Sequence, residues 1–404
     1  MNSSIILVVN AGSSSLKFSV FHVDDAGNLQ LVVRGQMDGI GARPCLKARN
    51  GTGAMLIESD FTIPEVATVG DAISLVGTWL REHLQHESLL AVGHRVVHGG
   101  TQFSSPVLVN TEIHTMLEQL IPLAPLHQPH NLAAIRAIRE KQPQVPQVAC
   151  FDTAFHRAHP QIADLYALPW EYYESGVRRY GFHGLSYEYI ATMLPKIAPK
   201  IADGRVIVAH LGNGASLCAL QAGKSVDSTM GFSPLDGVPM GTRPGALDPG
   251  VLLHLTNQCG LSSAELEKLL YQESGLLGLS GISNDMRILL ESHESRAQLA
   301  VEYFVHYTVK QIGALAAVLG GVDGLVFTAG IGEHSPVIRE RILQACAWLG
   351  VSIDAAANVR GGPCISSAED SRVSVWVIPT NEELMIARHT LALINHGKGG
   401  GQVE

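Results

Sequence analysis

Short apolar stretches separated by turn residues run along the N-terminal part of the chain. Residues 5–9 and 16–23 flank the polar segment NAGSSSLK, which predicts two strands joined by a tight loop. Alternating apolar positions predict further strands at 29–38 and 45–62. Residues 71–86 instead place apolar side chains three and four positions apart, which is typical of an amphipathic helix. This part of the chain is therefore expected to form a sheet followed by a helix.

Strands and helices continue to alternate further along the chain. Strands are predicted at 89–97 and 147–152, and a helix at 131–140 is expected to begin at Asn131 as its N-cap. A second hairpin is predicted at 205–220. This alternation favours the α/β class.

The C-terminal part follows the same pattern. The segment GLVFTAGIGEHSPVIRERILQACAWLG predicts a strand, a Gly turn and a helix. That helix is expected to be capped by Ser335, to begin with Pro336 and to run to about residue 349. A last helix is predicted at 382–394 and is expected to return to the first domain.

The two predicted hairpins share a sequence pattern. VVNAGS in the first corresponds to VAHLGN in the second, so that Asn10 matches His210 and Gly12 matches Gly212. The copies lie 200 residues apart, about half of the 404-residue chain. Two related domains are therefore expected, each presenting a strand–loop–strand tip to a shared cleft.

Length and composition support this organisation and exclude several partners. A chain of 404 residues is too long for one hydrophobic core. Its net charge of −9, without runs of Lys or Arg, argues against nucleic acid and against membrane surfaces as partners. The N-terminus has no basic region and only a short apolar run, which predicts neither a signal peptide nor a membrane span. Six widely spaced cysteines suggest reduced core residues and a cytoplasmic protein.

Three glycine-containing turns have the composition of phosphate-binding loops. Backbone N–H groups in tight Gly/Ser turns form concave anion sites. The first tip adds hydroxyl donors from Ser13 and Ser15 and the ammonium group of Lys17. HLGNGAS at 210–216 and TAGIGEH at 328–334 are the other two turns. Neither a Walker A motif nor G-x-G-x-x-G is present, which together with the paired tips favours an actin-like ATPase architecture.

A series of motifs occurs in order from residue 10 to residue 390: NAGSSSLKFSV, GHRVVHGG, LAPLH, FDTAFH, YGFHGLSYEYI, AHLGNGASL, STMGFSPLDGVPMGTRPG, FTAGIGE and PTNEELMIARHT. Together these motifs resemble the acetate kinase family, which includes propionate kinases. The resemblance implies a duplicated actin-like (ribonuclease H-like) α/β fold with two domains and an interdomain cleft. It also implies ATP and ADP as co-substrates, Mg²⁺ (or Mn²⁺) as the metal, a homodimer, and phosphorylation of a short-chain carboxylate to an acyl phosphate.

The resemblance implies a role for each matched residue. Asn10 and Glu382 would serve the metal, and Asp152 would be the acid/base. The other catalytic groups would be Arg95 and Arg243, with His183 stabilising the transition state. The acyl pocket would be lined, beside Arg95, by Val97, Leu126, Phe182 and Pro234. ATP would be bound by Ser13, Ser15, Lys17, His210, Leu211, Gly212, Asn213, Gly214, Asp285, Met286, Arg287, Gly330, Ile331, Gly332, Glu333 and His334.

Elementary chemistry agrees with most of these roles. Both the acceptor carboxylate and the γ-phosphoryl group are anions, so the site needs fixed positive groups and donors around the transferring phosphoryl. An ionised carboxylate requires no deprotonation, which leaves open that Asp152 orients an arginine or a metal-bound water instead. Charge-stabilising arginine and histidine side chains favour direct transfer over a phospho-enzyme.

The sequence departs from the family pattern at three places. His334 replaces the Asn that often follows GIGE, and Gln128 replaces the Asn after LAPLH. Pro-Gly-Ala-Leu follows MGTR instead of the commoner Cys/Ser-Gly-Asp-Ile. These positions bear on the nucleotide contact and on the chain length of the preferred acid.

The combined expectation is an ATP:carboxylate phosphotransferase that acts on acetate. An N-terminal domain is expected at 1–150, joined by the C-terminal helix at about 384–396, and a nucleotide-binding and dimerisation domain at 151–383. Propionate or butyrate kinase activity is the alternative within the class. An actin-like scaffold that hydrolyses ATP without a carboxylate is the alternative outside it.

Overall fold

The computed structural model describes residues 3–85, 87–367 and 370–399, which form two compact α/β units. The first unit contains the residues before Phe155 together with those after Thr380, and the second contains Phe155–Thr380. Within the described ranges, no helix combines the length and apolar character needed to cross a bilayer.

The first unit is built on one mixed sheet. Its strands are β1 (Ser3–Ala11), β2 (Ser15–Val23), β3 (Leu29–Asp38), β4 (Cys45–Asn50), β5 (Met55–Asp60), β6 (Glu87–Val96), β7 (Val107–Leu108) and β8 (Gln147–Phe151). They are arranged in the order β5-β4-β3-β2-β1-β6-β8-β7. β1 is antiparallel to β2 and parallel to β6, and β6 is parallel to β8.

Three helices of this unit precede its C-terminal helix in the sequence. They are α1 (Val69–His83), α2 (Thr111–Gln119) and α3 (Gln128–Lys141). α1 begins with a capping box between Thr68 and Asp71. Its buried residues Ile73, Val76 and Leu80 pack in the same apolar cluster as the inward side chains of β2. This burial holds the helix on the sheet.

The expected N-cap of α3 is wrong. The helix begins at Gln128, so Asn131 lies inside its first turn and is buried. Its side-chain oxygen accepts from the Val97 N–H at 3.0 Å, and its amide donates to the Ala11 carbonyl at 2.7 Å. Asn131 thus satisfies backbone groups at the ends of β1 and β6 rather than those of its own helix.

The second unit contains a smaller sheet and most of the helices. Its strands are β9 (Arg205–Leu211), β10 (Ala215–Gln221), β11 (Lys224–Ser228), β12 (Gly324–Thr328) and β13 (Ser374–Val377), in the order β11-β10-β9-β12-β13. Its helices are α4 (Gln161–Asp164), α5 (Trp170–Glu174), α6 (Gly184–Ile197), α7 (Pro199–Ala202), α8 (Pro249–Asn257), α9 (Ser263–Lys268), α10 (Gly275–Ser280), α11 (Met286–Glu291), α12 (Ser295–Leu319), α13 (Ala329–His334), α14 (Pro336–Ala345) and α15 (Ala355–Arg360).

The C-terminal helix α16 (Glu382–Gly399) packs against β6 and β1 of the first unit. Close packing depends on Gly93 in β6, where an added Cβ would lie 2.6 Å from the Ile386 side chain. The start of α16 is therefore brought to the strands that carry Asn10 and Arg95.

The two sheets share one topology. In the first, β3-β2-β1 are antiparallel neighbours and β1-β6-β8 are parallel neighbours. In the second, β11-β10-β9 and β9-β12-β13 repeat this pattern. Asn10 and His210 occupy matching positions, because each is the penultimate residue of the first strand of its hairpin. The expected duplicated α/β fold is confirmed.

Candidate active site

Three polar residues of the first unit lie at the carboxyl ends of neighbouring strands. Asn10 is the penultimate residue of β1, Arg95 is the penultimate residue of β6, and Asp152 directly follows β8. Because β1, β6 and β8 are parallel, these ends meet at one edge of the sheet, where α/β proteins place their ligands.

Arg95 is the centre of this cluster. Its Nε–H donates to Asp152 Oδ1 at 3.0 Å, and a second guanidinium N–H donates to Asp152 Oδ2. Its Nη1 donates to Asn10 Oδ1 at 3.3 Å. The Asp152 side chain is only 2% exposed, whereas that of Arg95 is 23% exposed. A bidentate pair of this kind fixes the plane of the guanidinium while leaving part of it accessible.

Several carboxylate groups interact electrostatically with Arg95. Burial raises the pKa of Glu382 to about 7, and Arg95 counteracts this while Asp152 and Glu383 add to it. Burial alone would lower the pKa of Arg95, but Asp152 and Glu382 outweigh burial and raise it. The cluster of Asp152, Glu382 and Glu383 therefore holds two more carboxylates than Arg95 alone can neutralise, and Lys17 supplies only part of the missing positive charge.

The serine tip remains accessible to a ligand. The Gly12 N–H donates to the Ser15 carbonyl at 2.8 Å, which closes the turn between β1 and β2. Ser13 and Lys17 are exposed, and Ser15 is half-buried. The tip therefore presents hydroxyl groups and an ammonium group next to Asn10.

The candidate acyl-pocket residues of this unit lie at or near the end of β6. Val97 follows β6 and is 5% exposed, and Leu126 is half-buried in the segment before α3. The departure at Gln128 has a structural role, because its side chain accepts from the His98 N–H at 3.3 Å and donates to the His98 carbonyl at 3.2 Å. This amide ties the start of α3 to the residue after Val97.

In the second unit, two histidine rings stack. The centroids of His183 and His210 are 4.2 Å apart, with 21° between the ring planes. His183 Nδ1 hydrogen-bonds Ser216 Oγ at 2.8 Å, and His210 Nδ1 hydrogen-bonds Ser186 Oγ at 2.8 Å. His183 has φ 57°, a left-handed conformation that costs a non-glycine residue about 1–2 kcal/mol. Strain of this kind is typical of residues held for function.

The tip between β9 and β10 lies against His183 and Arg243. An added Cβ at Gly214 would lie 2.6 Å from Arg243 Nη2 and 3.4 Å from His183 Nε2. Arg243 Nη1 donates to the Pro234 carbonyl at 2.7 Å. Arg243, His183, Pro234 and the HLGNG loop are therefore neighbours within this unit, and both Pro234 and Phe182 are buried.

A cavity of about 780 Å³ lies beside this tip, which is within the range of small-molecule sites. It is lined by three segments that the sequence assigned to ATP, namely Gly212 with Asn213, Asp285–Arg287, and Gly330 with Ile331 and His334. The cavity has further lining residues that were not predicted from the sequence, namely Asn284, Leu290, Glu291, Ser335, Pro336 and Val337. Asn284 donates to Asn213 Oδ1 at 3.4 Å, and its place directly before Asp285 was the available signal.

Gly332 and Glu333 have internal partners and are not among the lining residues described for this cavity. Glu333 Oε1 accepts from the Ala329 N–H at 2.7 Å and from the Thr380 N–H at 3.1 Å. The Gly332 carbonyl accepts from the buried Arg339 guanidinium at 2.8 Å. The predicted Gly turn is consequently the short helix α13, held in place by these bonds.

The charged residues on the cavity wall have different surroundings. Asp285 caps α11 and accepts from Arg287 Nη2 at 2.6 Å, and this bond lowers the pKa of Asp285. His334, the departure from the family pattern, is 80% exposed. An exposed imidazole here can contact a ligand without reorganising buried groups.

A duplicated α/β fold with a tip at each sheet edge and a cavity of about 780 Å³ beside one tip is what a nucleotide-binding phosphotransferase requires. A profile of the acetokinase family matches residues 5–388. An acetate kinase from Nitrobacter hamburgensis is 55% identical over 96% of this chain and 96% of its own. The chain belongs to the acetokinase family.

Solved structures agree with this assignment. The crystal structure of a propionate kinase from Francisella tularensis has a TM-score of 0.89 at 38% identity and covers 96% of this chain and 99% of its own. The crystal structure of Porphyromonas gingivalis acetate kinase has a TM-score of 0.85 at 37% identity, over 97% of this chain and 100% of its own. The family and the fold class expected from the motifs are confirmed.

Proposed function

We propose that this enzyme transfers the γ-phosphoryl group of ATP reversibly to acetate, forming acetyl phosphate and ADP. The observation that carries the proposal is full-length similarity, at 55% identity, to a relative named acetate kinase. The arrangement of charged residues supports it, because each unit holds groups suited to one part of the reaction.

Charge neutralisation is the main task of the protein. The carboxylate and the phosphoryl group repel each other, and negative charge spreads over the phosphoryl oxygens during transfer. We assign Arg95, Arg243 and His183 to these oxygens, with the carboxylate of the acid also held by Arg95. A fixed donor of this kind contributes about 3 kcal/mol to transition-state stabilisation. We favour direct transfer over a phospho-enzyme, because arginine and histidine side chains suit charge stabilisation.

Asp152 acts as an orienting group in this proposal. Acetate is ionised at neutral pH and needs no base. The Asp152 carboxylate accepts two bonds from Arg95 and is almost completely buried. It is thus suited to fixing the plane of the Arg95 guanidinium. This role differs from that of an acid/base, because it involves no proton transfer.

The nucleotide is assigned to the second unit. Gly212, Asn213 and Gly330 would contact the phosphates through backbone groups, with His210, Leu211 and Gly214 completing the tip. Asp285, Met286 and Arg287 would lie beside the adenosine, together with Ile331 and His334 of α13. Gly332 and Glu333 would support α13. Ser13, Ser15 and Lys17 would serve the phosphates from the first unit.

The residues of the first unit fit a magnesium ion. Mg²⁺ prefers oxygen ligands and is commonly held by one or two protein groups together with water and phosphate. Asn10 and Glu382 would provide those groups, and the excess of carboxylate around Glu382 favours a bound cation. In the described ranges, no three His, Cys, Asp or Glu side chains form a metal site, so phosphate or water would complete the shell. Such an ion, or Mn²⁺ in its place, would neutralise phosphate charge.

The choice of acid is tested by trapping the acyl phosphate with hydroxylamine. With ATP and Mg²⁺, acetate is expected to give the highest kcat/KM, with propionate second and butyrate third. A higher kcat/KM for propionate would assign the enzyme to the propionate kinases. The similarity to the Francisella tularensis propionate kinase is the reason to test this alternative. A rate of ATP hydrolysis that is the same with and without each of the three acids would refute phosphoryl transfer to a carboxylate.

A homodimer and a cytoplasmic location complete the proposal. α8 and α9 bury no residue within the chain, and exposed Leu253 and Val251 lie on α8. A second copy would cover these apolar side chains, and sedimentation velocity should show one dimeric species that Leu253→Asp dissociates. All six cysteines are unpaired, as expected in a reducing compartment.

A further inference from the structure

A cluster of four polar side chains lies next to the loop that carries Phe182 and His183, outside the groups assigned to the reaction. Its members are His156, His159, Cys218 and Ser225. His156 and Cys218 are fully buried and Ser225 is 3% exposed. Buried polar groups normally have a structural or functional reason to be there.

The hydrogen bonds determine which nitrogen of each histidine carries the proton. His156 Nε2 lies 2.9 Å from the Phe182 carbonyl, which can only accept, so this nitrogen donates. Burial lowers the pKa of His156 to about 4, and the neutral ring therefore accepts at Nδ1 from the Ser225 hydroxyl, 2.8 Å away. Ser225 has then used its single proton, and His159 Nε2 must donate to it at 2.6 Å.

The surroundings of His159 Nδ1 are consistent with these proton positions. Burial lowers the pKa of His159 to about 2, so its ring is neutral and its Nδ1 carries a lone pair. Among the described residues, His159 Nδ1 is buried without a hydrogen-bond partner, which suits an unprotonated nitrogen better than an N–H. The cluster thus forms a directional chain that ends on the Phe182 carbonyl.

The same ring limits the backbone on the other side of Phe182. Gly181 has φ +73°, and a Cβ there would lie 2.6 Å from His156 Cδ2. His183, one residue beyond Phe182, is held at φ 57°. His156 therefore contacts Gly181 by packing and Phe182 by a hydrogen bond, immediately before a strained residue assigned to the reacting phosphoryl.

We propose that His156 is a positioning residue that sets the place of the Phe182 ring and of the His183 imidazole. The proposal rests on the proposed function, since it assigns Phe182 to the acyl pocket and His183 to the phosphoryl group. Ser225 orients His156, and His159 orients Ser225. A displacement of about 1 Å at a reacting group costs on the order of a hundredfold in rate.

Three variants separate positioning from simple stability. His156→Leu removes the donor to Phe182 and is expected to lower kcat with acetate at least tenfold, by the same argument as for displaced reacting groups. It should also change the propionate-to-acetate ratio of kcat/KM while leaving the KM for ATP within about twofold. His156→Gln, whose amide can still donate to the carbonyl, should recover most of kcat. Ser225→Ala should change the ratio in the same direction by a smaller factor.

His94 provides the matched control. It is also a buried histidine with a pKa lowered by burial to about 4, and it bonds the side-chain amide of Gln147 in the first unit. His94→Leu should reduce the thermal midpoint as His156→Leu does. It should leave the acid ratio unchanged.

The activities of these variants and of the wild type test the positioning role of His156 separately from the proposed function. Folded His156→Leu with wild-type kcat and acid ratio would overturn the positioning role. If His156→Leu does not fold, an unchanged acid ratio in Ser225→Ala would overturn it instead. Wild-type enzyme that forms no acyl phosphate would refute the proposed function itself. If the wild type is active and the His156 variants have the same kcat and acid ratio as His94→Leu, only the positioning role of His156 is refuted.

Discussion

At the scale of single residues, the ion pair between Arg95 and Asp152 joins an almost completely buried carboxylate to a partly exposed guanidinium. Asp152 follows β8 and Arg95 precedes the end of β6, so each was predictable as a strand-end residue from the apolar pattern. Their bidentate pairing was not, because it depends on the register of two parallel strands that are far apart in sequence.

Arg243 carries the clearest residue-scale prediction. Arg243→Leu should reduce kcat by two or more orders of magnitude, because one fixed donor to the transferring group contributes about 3 kcal/mol. The dissociation constant of ATP, measured by calorimetry, should change little. The matched control is Arg205→Leu, which removes an exposed partner of Asp323 and should leave kcat near wild type. An equal loss of kcat in both variants would show that Arg243 has no specific role in the reaction.

Glu382 carries the prediction about the metal. Glu382→Gln should raise the Mg²⁺ concentration for half-maximal activity at least tenfold, since an amide is a weaker ligand than a carboxylate. Titration of activity with Mg²⁺, after removal of metal by EDTA, measures this. Glu383→Gln is the control, because Glu383 lies near Arg34 at 3.8 Å and is not assigned to the metal. An unchanged Mg²⁺ requirement in Glu382→Gln would exclude it as a ligand.

At the scale of elements, long periodic segments were predictable and short ones were not. The pattern placed β1, β2 and α1 within a few residues. It missed β7, since a two-residue strand shows no alternation, and β11, since its sequence KSVDS contains a single apolar residue. Asn131 resembled a cap because the sequence does not show that its amide has buried backbone partners.

The start of α13 gives an element-scale prediction. Ala329 has φ 64°, where an L-residue is strained, and Glu333 holds its N–H in that conformation. Ala329→Gly should therefore raise the free energy of unfolding by about 1 kcal/mol, as urea denaturation measures it.

Ala316→Gly is the control for this prediction. Ala316 lies within the regular helix α12, where glycine should lower stability by about 1 kcal/mol. A loss of stability in Ala329→Gly as large as that in Ala316→Gly would show that Ala329 is not strained.

At the scale of the whole molecule, duplication explains why so much of the fold was predictable. Two short hairpin tips, matched at Asn10 with His210 and at Gly12 with Gly212, already implied two related sheets. The structure repeats one topology in both units. Insertions within the second repeat, such as α8 to α11 between β11 and β12, have no counterpart in the first unit and therefore could not be inferred from the repeat.

Buried histidines predict how stability depends on pH. The pKa of His94 and of His156 is lowered by burial from an ordinary 6.5 to about 4. The unfolded chain therefore binds protons first, and the stability these groups contribute is complete above pH 6.5 and is lost as pH falls from 6.5 toward 4. Each histidine accounts for roughly 3 kcal/mol over that range.

Urea unfolding at pH 8, 6, 5 and 4 measures this loss. His94→Gln should show a shallower decline than the wild type between pH 6.5 and 4, because one titrating group has been removed. An identical decline in the two proteins would show that His94 is not held neutral in the fold.

The most direct test of phosphoryl transfer to acetate is the ratio of ADP released to acetyl phosphate formed, measured with and without acetate in the same Mg²⁺-ATP solution. A ratio of one with acetate, and almost no ADP without it, is the predicted result. ADP release at the same rate in the absence of any carboxylate would contradict the account.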